Sequence, residues 1–513
     1  MVVGIISVIV LFYAEENWRG KRAWAALQRE AAAHGESLDL ASVFPPPVPD
    51  DENFALAPGV ASLLGYAEPE PGEAQSKSDF RPENLPFFHG ESETWPPANW
   101  VFQQPTDLAA WQKFFRQPPP THARATDSDH PQLQFPIAPE LQTPAADVLR
   151  ALSRYDPALA VLRAASQRPK TRYPLDYDKG LFGLMRGQYF PAQNLSAAAH
   201  VLCLHAVAEL AQDQSEAALQ DTQLALRLAD SLRQMPYERL HRTRADMLMF
   251  CLQPVWEGLA RHRWNDQQLA TLQQQFAAPD LLAEFQQAAR GETLVTMNLA
   301  DQLQAFLEGR RSPAADQMHS AKGDDLLPVW LFRLFYPAGW LNQDKVWTYR
   351  FYQRRADVFK AWELRDGRQF YAECRRATDP FLLVFVVPRL QDVFHEGEQK
   401  ALFLQTACQQ AAVACALERY RLAQGQYPDL LEALIPALLK QVPTDLLAPN
   451  ATPLKYHREA NGGFVLYSIG LNRVDDNGKP SPAIEYSHRS RPYQDLFPRL
   501  DEGDWVWRQA TRS

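Results

Sequence analysis

Cysteine is scarce in this chain of 513 residues, basic charge is not in excess, and the usual motifs of enzyme chemistry are missing. The five cysteines (Cys203, Cys251, Cys374, Cys408 and Cys415) form neither a disulfide framework nor a CxxC metal knuckle. Cys408 and Cys415 fall on one face of an expected helix but about 10 Å apart along its axis, too far to bridge. Set among Ala, Leu and Val, they read as small buried apolar side chains. A net charge of -9 leaves no global basic field for a polyanion, which excludes nucleic acid as the expected partner. No GxSxG, HExxH, Walker loop or GxGxxG occurs, so nothing in the order of residues marks a serine hydrolase, zinc protease or nucleotide enzyme.

What is present describes a folded protein. Hydrophobic residues make up 46% and charged residues 22%, the balance of a globular chain long enough for two to four domains. Met1 to Ala14 (MVVGIISVIVLFYA) is uncharged, yet its roughly 13 apolar residues fall short of the about 20 that cross a bilayer. With no basic leader and no small-x-small cut, it does not read as a cleaved signal. Three readings stay open: the end of a transmembrane helix that begins upstream, a short tilted anchor, or a buried helix. Aliphatic residues on every face favour an anchor in the cell envelope or periplasmic side of a membrane. Arg19, Lys21, Arg22 and Arg29 follow the run and pull the orientation the other way, by the tendency of basic residues to stay inside.

Glu16 to Ala33 reads as an amphipathic helix marked by Trp18, Trp24 and Leu27, with Gly35 to cap it. Nineteen of the 40 prolines lie between residues 45 and 144. Such a segment cannot hold long regular elements, so an extended wrap is expected, fastened to a larger body by Phe87, Phe88, Trp95, Trp100, Trp111 and Phe114. The triple proline at Pro118 to Pro120 suits a rigid spacer or a ligand for an aromatic groove. From 145 to 310 apolar residues recur at helical spacing, in Asn194 to Gln212, Ser215 to Gln234 and Tyr237 to Trp264, with Ser215 as an expected N-cap. Joints at Met235-Pro236 and Arg263 to Asp266 suggest helical hairpins of solenoid character without a strict period. Residues 311 to 394 are aromatic-rich: Trp330, Phe332, Phe335, Tyr336 and Trp340, beside Arg333 and Lys345, suit a helical core or a membrane-interface belt. Pro380 to Pro388 (PFLLVFVVP) is too short to span and reads as a buried segment.

The last part, 395 to 513, has its own order. A long helix ends at Gly425, Asp429 to Pro436 reads as a short second helix, and two alternating runs flank Asn461-Gly462-Gly463, a hairpin signal. The fold class expected is therefore mainly α with a small α+β C-terminal domain.

That order, with GQYP, PTD, KYH, GGFVLYSIG and an aspartate-bearing loop, resembles the periplasmic domain of the major pseudopilin of type II secretion. The whole chain, through ENWRGKRAW, PPPVPDDENFA, ALERYRLAQGQYP, YSIGLNRVDDNG and GDWVW, also resembles a family of envelope proteins from planctomycete and verrucomicrobial bacteria. The pseudopilin resemblance implies calcium held by Asp475, Asp476 and Asp504, with Asn477 as a further oxygen donor. Calcium takes six to eight hard oxygens, so a bare acidic turn suffices only if Asp501 or Asp504 folds back to it. The resemblance stops at the N-terminus: Gly4 is followed by Ile9 where a pseudopilin has glutamate, so fibre assembly is not expected.

His89-Gly90-Glu91, His395-Glu396, and Asp176 with Asp178 are the remaining residues suited to acid-base work or metal ligation. The expectation is a membrane-anchored scaffold or interaction protein with protein partners and a calcium-stabilised C-terminal module. The alternatives are a hydrolase whose site lies where the Pro-rich wrap crosses the aromatic segment, and an accessory subunit of a secretion or pilus-like machine.

Overall fold

The computed structural model describes residues 2–66, 96, 98–117, 135–179, 181–308, 310, 336–360, 397–482 and 497–509. Helical spacing of apolar residues becomes helices α1 (Val2–Ala33), α2 (Val60–Leu64), α3 (Leu108–Arg116), α4 (Pro144–Leu152), α5 (Asp156–Ser166) and α6 (Leu181–Ala211). They continue through α7 (Ser215–Asp230), α8 (Glu238–Ala260), α9 (Asp266–Ala277), α10 (Leu281–Leu307), α11 (Ala338–Lys360) and α12 (Gly397–Gln424). One antiparallel sheet follows, ordered β1 (Lys455–Arg458), β2 (Phe464–Ser468), β3 (Trp505–Arg508). The protein is thus mainly α with a small sheet near its C-terminus.

Two helices form the centre because their sequences leave them no polar face. Within α6, Ala192–Ala211 is apolar and long enough to cross a membrane, but 78% of it is buried inside the protein, where α7 and α8 cover it. α12 is buried around its whole circumference from Ala401 to Glu418 by α8, α9, α10 and the sheet. A hairpin of α6 with α7 is present, α8 packs on both, and α12, against which α9 packs, joins them into one body. The hairpin signal also holds: Arg458 pairs with Phe464 across a turn in which Gly462 has φ 86°.

A single core runs from α2 to α10 and on through α12 and the sheet, across the boundary expected near residue 395, while α1 and α11 pack through smaller clusters. Trp100, from the Pro-rich wrap, lies 5.0 Å from Trp507 and 6.2 Å from Phe403, ring centre to ring centre. Trp256 Nε1 on α8 donates to the Arg508 carbonyl at 2.9 Å, and Gln509 Nε2 donates to the Leu259 carbonyl at 2.8 Å. The sheet is therefore stitched to the helices by aromatic burial and backbone bonds. Trp100 and Trp111 are buried as expected of the wrap, which also contains α3. Asn53 holds the wrap's entry: its Oδ1 accepts from Ala55 N and Arg172 N, and its Nδ2 donates to the Arg172 carbonyl.

Several local expectations need correction. Met1 to Ala14 and Glu16 to Ala33 do not form two elements, since no glycine or proline separates them and one helix continues from Val2 to Ala33. Trp18 is 54% exposed, carrying Arg22 over its ring at 5.2 Å, so only Leu27 and the partly buried Trp24 mark the inner face. Ser215 opens α7 without capping it; Gln214 occupies that position and Ser215 Oγ accepts from Gln268 Nε2. Asp429 to Pro436 gives only a turn of 3-10 helix, Leu431–Leu434. Lys345 is buried, not snorkelling: it lies 4.1 Å from the Trp24 ring and pairs with Asp301 at 2.6 Å. Phe87, Phe88, Trp95, Pro118 to Pro120, Trp330, Phe332, Arg333, Phe335, Cys374 and Pro380 to Pro388 lie outside the described residues.

α1 and α11 meet backbone to backbone. A Cβ on Gly20 would overlap the Gly339 carbonyl, and one on Gly339 would overlap the Glu16 carbonyl. Glu16 accepts from Arg19, Trp340 Nε1 and Gln343 Nε2, while Gly339 N donates to Asn17 Oδ1 at 2.7 Å. Gly339→Val is expected to cost about 3 kcal/mol through forced separation of the two helices. The measurement is the urea midpoint of the full chain, accompanied by faster proteolysis within residues 15–37.

Candidate functional site

Among the described residues, the C-terminal acidic loop and a cavity beside α11 each bring polar groups together, and of these only the loop was visible in the residue order. The C-terminal acidic loop begins where Gly470 (φ 67°) ends the strand run, and Asn477 (φ 57°) and Gly478 (φ 78°) then turn the chain back. A Cβ on Gly478 would lie 2.9 Å from Val465 Cγ1 on β2, so glycine is required there by space as well as by φ.

Asp504 stands just before β3 and is fixed by its backbone. Its N–H donates to the Lys479 carbonyl at 3.0 Å, and its carbonyl accepts from Ser481 N at 3.1 Å. This places a fully buried carboxylate under the loop. Asp504 Oδ2 accepts from Gly478 N at 2.7 Å and Oδ1 from Asp476 N at 3.3 Å. Burial pushes its pKa up to about 6, against the two amide donors, and Asp476 and Asp475 add to the rise.

Asp475 Oδ2 pairs with Lys455 at 2.9 Å, and Oδ1 accepts from Tyr467 Oη and Asn477 N. Lys455 leads the causes that hold the Asp475 carboxyl below its usual range. Asp476 Oδ2 accepts from Asn472 Nδ2 at 3.1 Å. All four predicted residues are thus brought to one loop, while Asp501 stays exposed. The loop turns amide N–H groups toward Asp504, so this carboxylate already serves as the anion that organises the turn.

The second place is a cavity of about 430 Å³ between the turn after α1, α10 and α11, lined among others by Arg290, Thr293, Tyr349, Tyr352, Arg355 and Glu398. Its polar floor is an ion cluster. Arg355 Nη1 and Nη2 donate to the two oxygens of Glu238 at 2.8 and 2.9 Å, and Nε pairs with Glu398. These three side chains come from α11, α8 and α12, and each is at least nine-tenths buried.

Glu292 on α10 joins them at 1% exposure. Burial drives its pKa well above the carboxylate range, with the neighbouring Glu238 charge adding to the shift. Glu238 is pushed up to about 6, chiefly by burial, with Arg355 opposing. Burial thus favours the protonated form of Glu292, and its Oε2 is buried without a hydrogen-bond partner among the described residues. The arrangement can present a guanidinium edge, a phenol and a carboxylate to a polar small molecule.

The sequence did not reveal Glu238, Glu292, Arg355 or Glu398. Glu238 reads as a first-turn acid favoured by the helix dipole, and Arg355 is one of a surface-like pair, Arg354-Arg355. Their only signal was position on otherwise apolar helical faces. Among the other expected acid-base residues, Asp176 is exposed and pairs with Lys179, while His89 to Glu91 and His395-Glu396 lie outside the described residues. Cys203, Cys251, Cys408 and Cys415 are free and buried, and burial pushes the Cys408 thiol up to about 12. Comparison with protein-family models, with curated proteins and with solved structures gives no match.

Arg355→Met leaves Glu238 and Glu398 buried without their cation and is expected to cost about 3–5 kcal/mol. Glu292→Gln replaces a group whose neutral form burial favours. In the wild type the Glu292 contribution is full below pH 4.5, where the unfolded carboxyl is also protonated, and declines as pH rises above it. The stability of Glu292→Gln relative to wild type, read by urea denaturation, should therefore rise as pH increases from 4.5.

Proposed function

We propose that the protein is a membrane-attached scaffold or interaction protein of the cell envelope, with its helical body held at the membrane by the start of α1. The observation that carries this reading is the exposure of Val3, Ile5, Ile6, Val8, Ile9, Val10, Leu11 and Phe12, each between 47 and 77% exposed on all sides of a helix. Water does not tolerate so large an apolar surface without a cover. The stretch from Val2 to Ala14 rises about 20 Å, so it reaches about two thirds of the way through a 30 Å hydrocarbon core. At its foot, Tyr13, Trp18 and Trp340 stand beside Arg19, Lys21 and Arg22, the residue types that sit at headgroup level.

The C-terminal part supports the pseudopilin-like reading through its order: α12, the Leu431–Leu434 turn, the β1–β2 hairpin, the acidic loop and β3. Calcium binding at Asp475, Asp476, Asn477 and Asp504 belongs to that reading, and it asks Asp504 to exchange amide partners for the ion. An accessory role in a secretion or pilus-like assembly fits the same module, with co-purification of such components as its check. The cavity above Arg355 favours a second reading, a hydrolase. It is the weaker one, because Glu238 and Glu398 are both tied to Arg355 and so are not free to activate water.

Flotation with vesicles of phosphatidylethanolamine and phosphatidylglycerol tests the attachment. The wild-type chain should rise with the lipid, and the double variant Ile6→Glu, Val10→Glu should stay with soluble protein; a wild type that does not float removes the reading. For calcium, the melting temperature of the full chain should rise by a few degrees in excess calcium over chelator, since an ion bound only by the folded state stabilises it. Asp504→Asn should abolish that rise, and an unmoved wild-type melt would end the calcium proposal.

A further inference from the structure

A cluster away from both of these places has the composition of a transition-metal site. His205 and Glu209 lie one turn apart on α6, so their side chains leave the same face, and Asp221 on α7 packs against them. His205 Nδ1 stands 2.7 Å from Asp221 Oδ2 and 3.2 Å from Glu209 Oε1. One ligand atom from each of the three residues lies within 4.8 Å of the others. Donor atoms around a tetrahedral zinc are about 3.3 Å apart, given bonds of about 2.0–2.1 Å, so rotamer shifts well under one side-chain length would seat an ion.

The second observation is a vacancy in the hydrogen bonding. Glu209 is 6% exposed, and its Oε2 is buried with no hydrogen-bond partner among the described residues. Native structures rarely leave a buried carboxylate oxygen unmatched, and a cation among these oxygens would match it. Asp221, 2% exposed, is differently placed: its Oδ1 accepts from Arg163 Nη2 at 2.5 Å, which aims Oδ2 at His205. Outer partners of this kind fix the orientation of a ligating carboxylate. The site is also reachable, since the His205 side chain is 16% exposed and Arg163 45% exposed.

We propose that His205, Glu209 and Asp221 bind one divalent first-row transition ion, of which zinc is the best fit. One imidazole nitrogen and two carboxylate oxygens suit zinc, whereas calcium takes six to eight oxygens and magnesium an oxygen octahedron. His205 Nδ1 lies between the two carboxylates, so an ion bound there takes the place of any proton on that nitrogen. Three protein ligands leave one tetrahedral position for water or an added ligand. The ion would tie α6 to α7 next to the point where Arg163 brings in α5, a position independent of the acidic loop.

Cobalt(II) serves as the probe for the full-length chain. One equivalent should give the intense visible bands of four- or five-coordinate cobalt with nitrogen ligation, and one equivalent of zinc should bleach them. His205→Gln and Glu209→Gln should each weaken cobalt and zinc binding at least about 100-fold. Circular dichroism confirms that the variants are folded, and Asp504→Asn should leave the titration unchanged. Absence of the bands in the wild type, or the weak spectrum of an oxygen-only octahedral complex, overturns the proposal without relying on any variant. Unchanged affinity in folded His205→Gln and Glu209→Gln overturns it as well.

Discussion

From Ala401 to Glu418 α12 is enclosed, and the rest of the protein is arranged so that this helix can be. A helix without a solvent face must match each polar side chain it carries, because an unmatched buried polar group costs on the order of 1–3 kcal/mol. Those obligations organise its neighbours. Glu398 meets Arg355 of α11; Gln405 bridges the Leu281 N–H and the Pro279 carbonyl at the start of α10; Gln410 donates to the Trp505 carbonyl on β3 at 2.6 Å. At the far end Glu418 gathers His262, Arg421 and Tyr427. Burial opposes ionisation of Glu418, yet these three donors hold its pKa down at about 2. Glu398, Gln405, Gln410 and Glu418 thus act as pegs that select one docking of a neighbouring element among many that apolar packing alone would allow.

The two parts of α1 differ in surface chemistry. Where α1 crosses α11, glycines let the backbones touch, and Glu16, Asn17 and Glu30 make polar contacts along the seam. That attachment is specific and water-compatible. Four residues earlier the same helix is apolar on all faces, and the change occurs without any break in its backbone. Under the proposed attachment, a helix that is polar and docked over one part and bare and aliphatic over the other would pass its position at a membrane directly to the body.

Charge is used sparingly and in clusters. Arg355 joins three helices under the cavity, and Arg244, 2% exposed, joins Asp230 of α7 to Glu284 of α10. Such buried pairs add little net stability against an apolar alternative, and their main effect is to penalise wrong arrangements. Both sit where helices distant in sequence converge, which is where packing of aliphatic residues discriminates least.

Sequence alone determined the features that depend on near neighbours. Helical periodicity located α7, α8 and α12 within a few residues, Asn461 to Gly463 located the hairpin, and the scarcity and apolar setting of cysteine identified buried thiols. It also named the four residues of the acidic loop and the condition that Asp504 return to it. Tertiary structure decided what those features do. It showed that Asp504 accepts amide hydrogens, that a helix apolar enough for a membrane is a core helix, and that the C-terminal sheet shares one core with the body. The cluster of Glu238, Glu292, Arg355 and Glu398, and that of His205, Glu209 and Asp221, were invisible for one physical reason. A carboxylate on a helix reads as solvated unless the partner that desolvates and balances it is known, and here most of those partners lie on other elements of the chain.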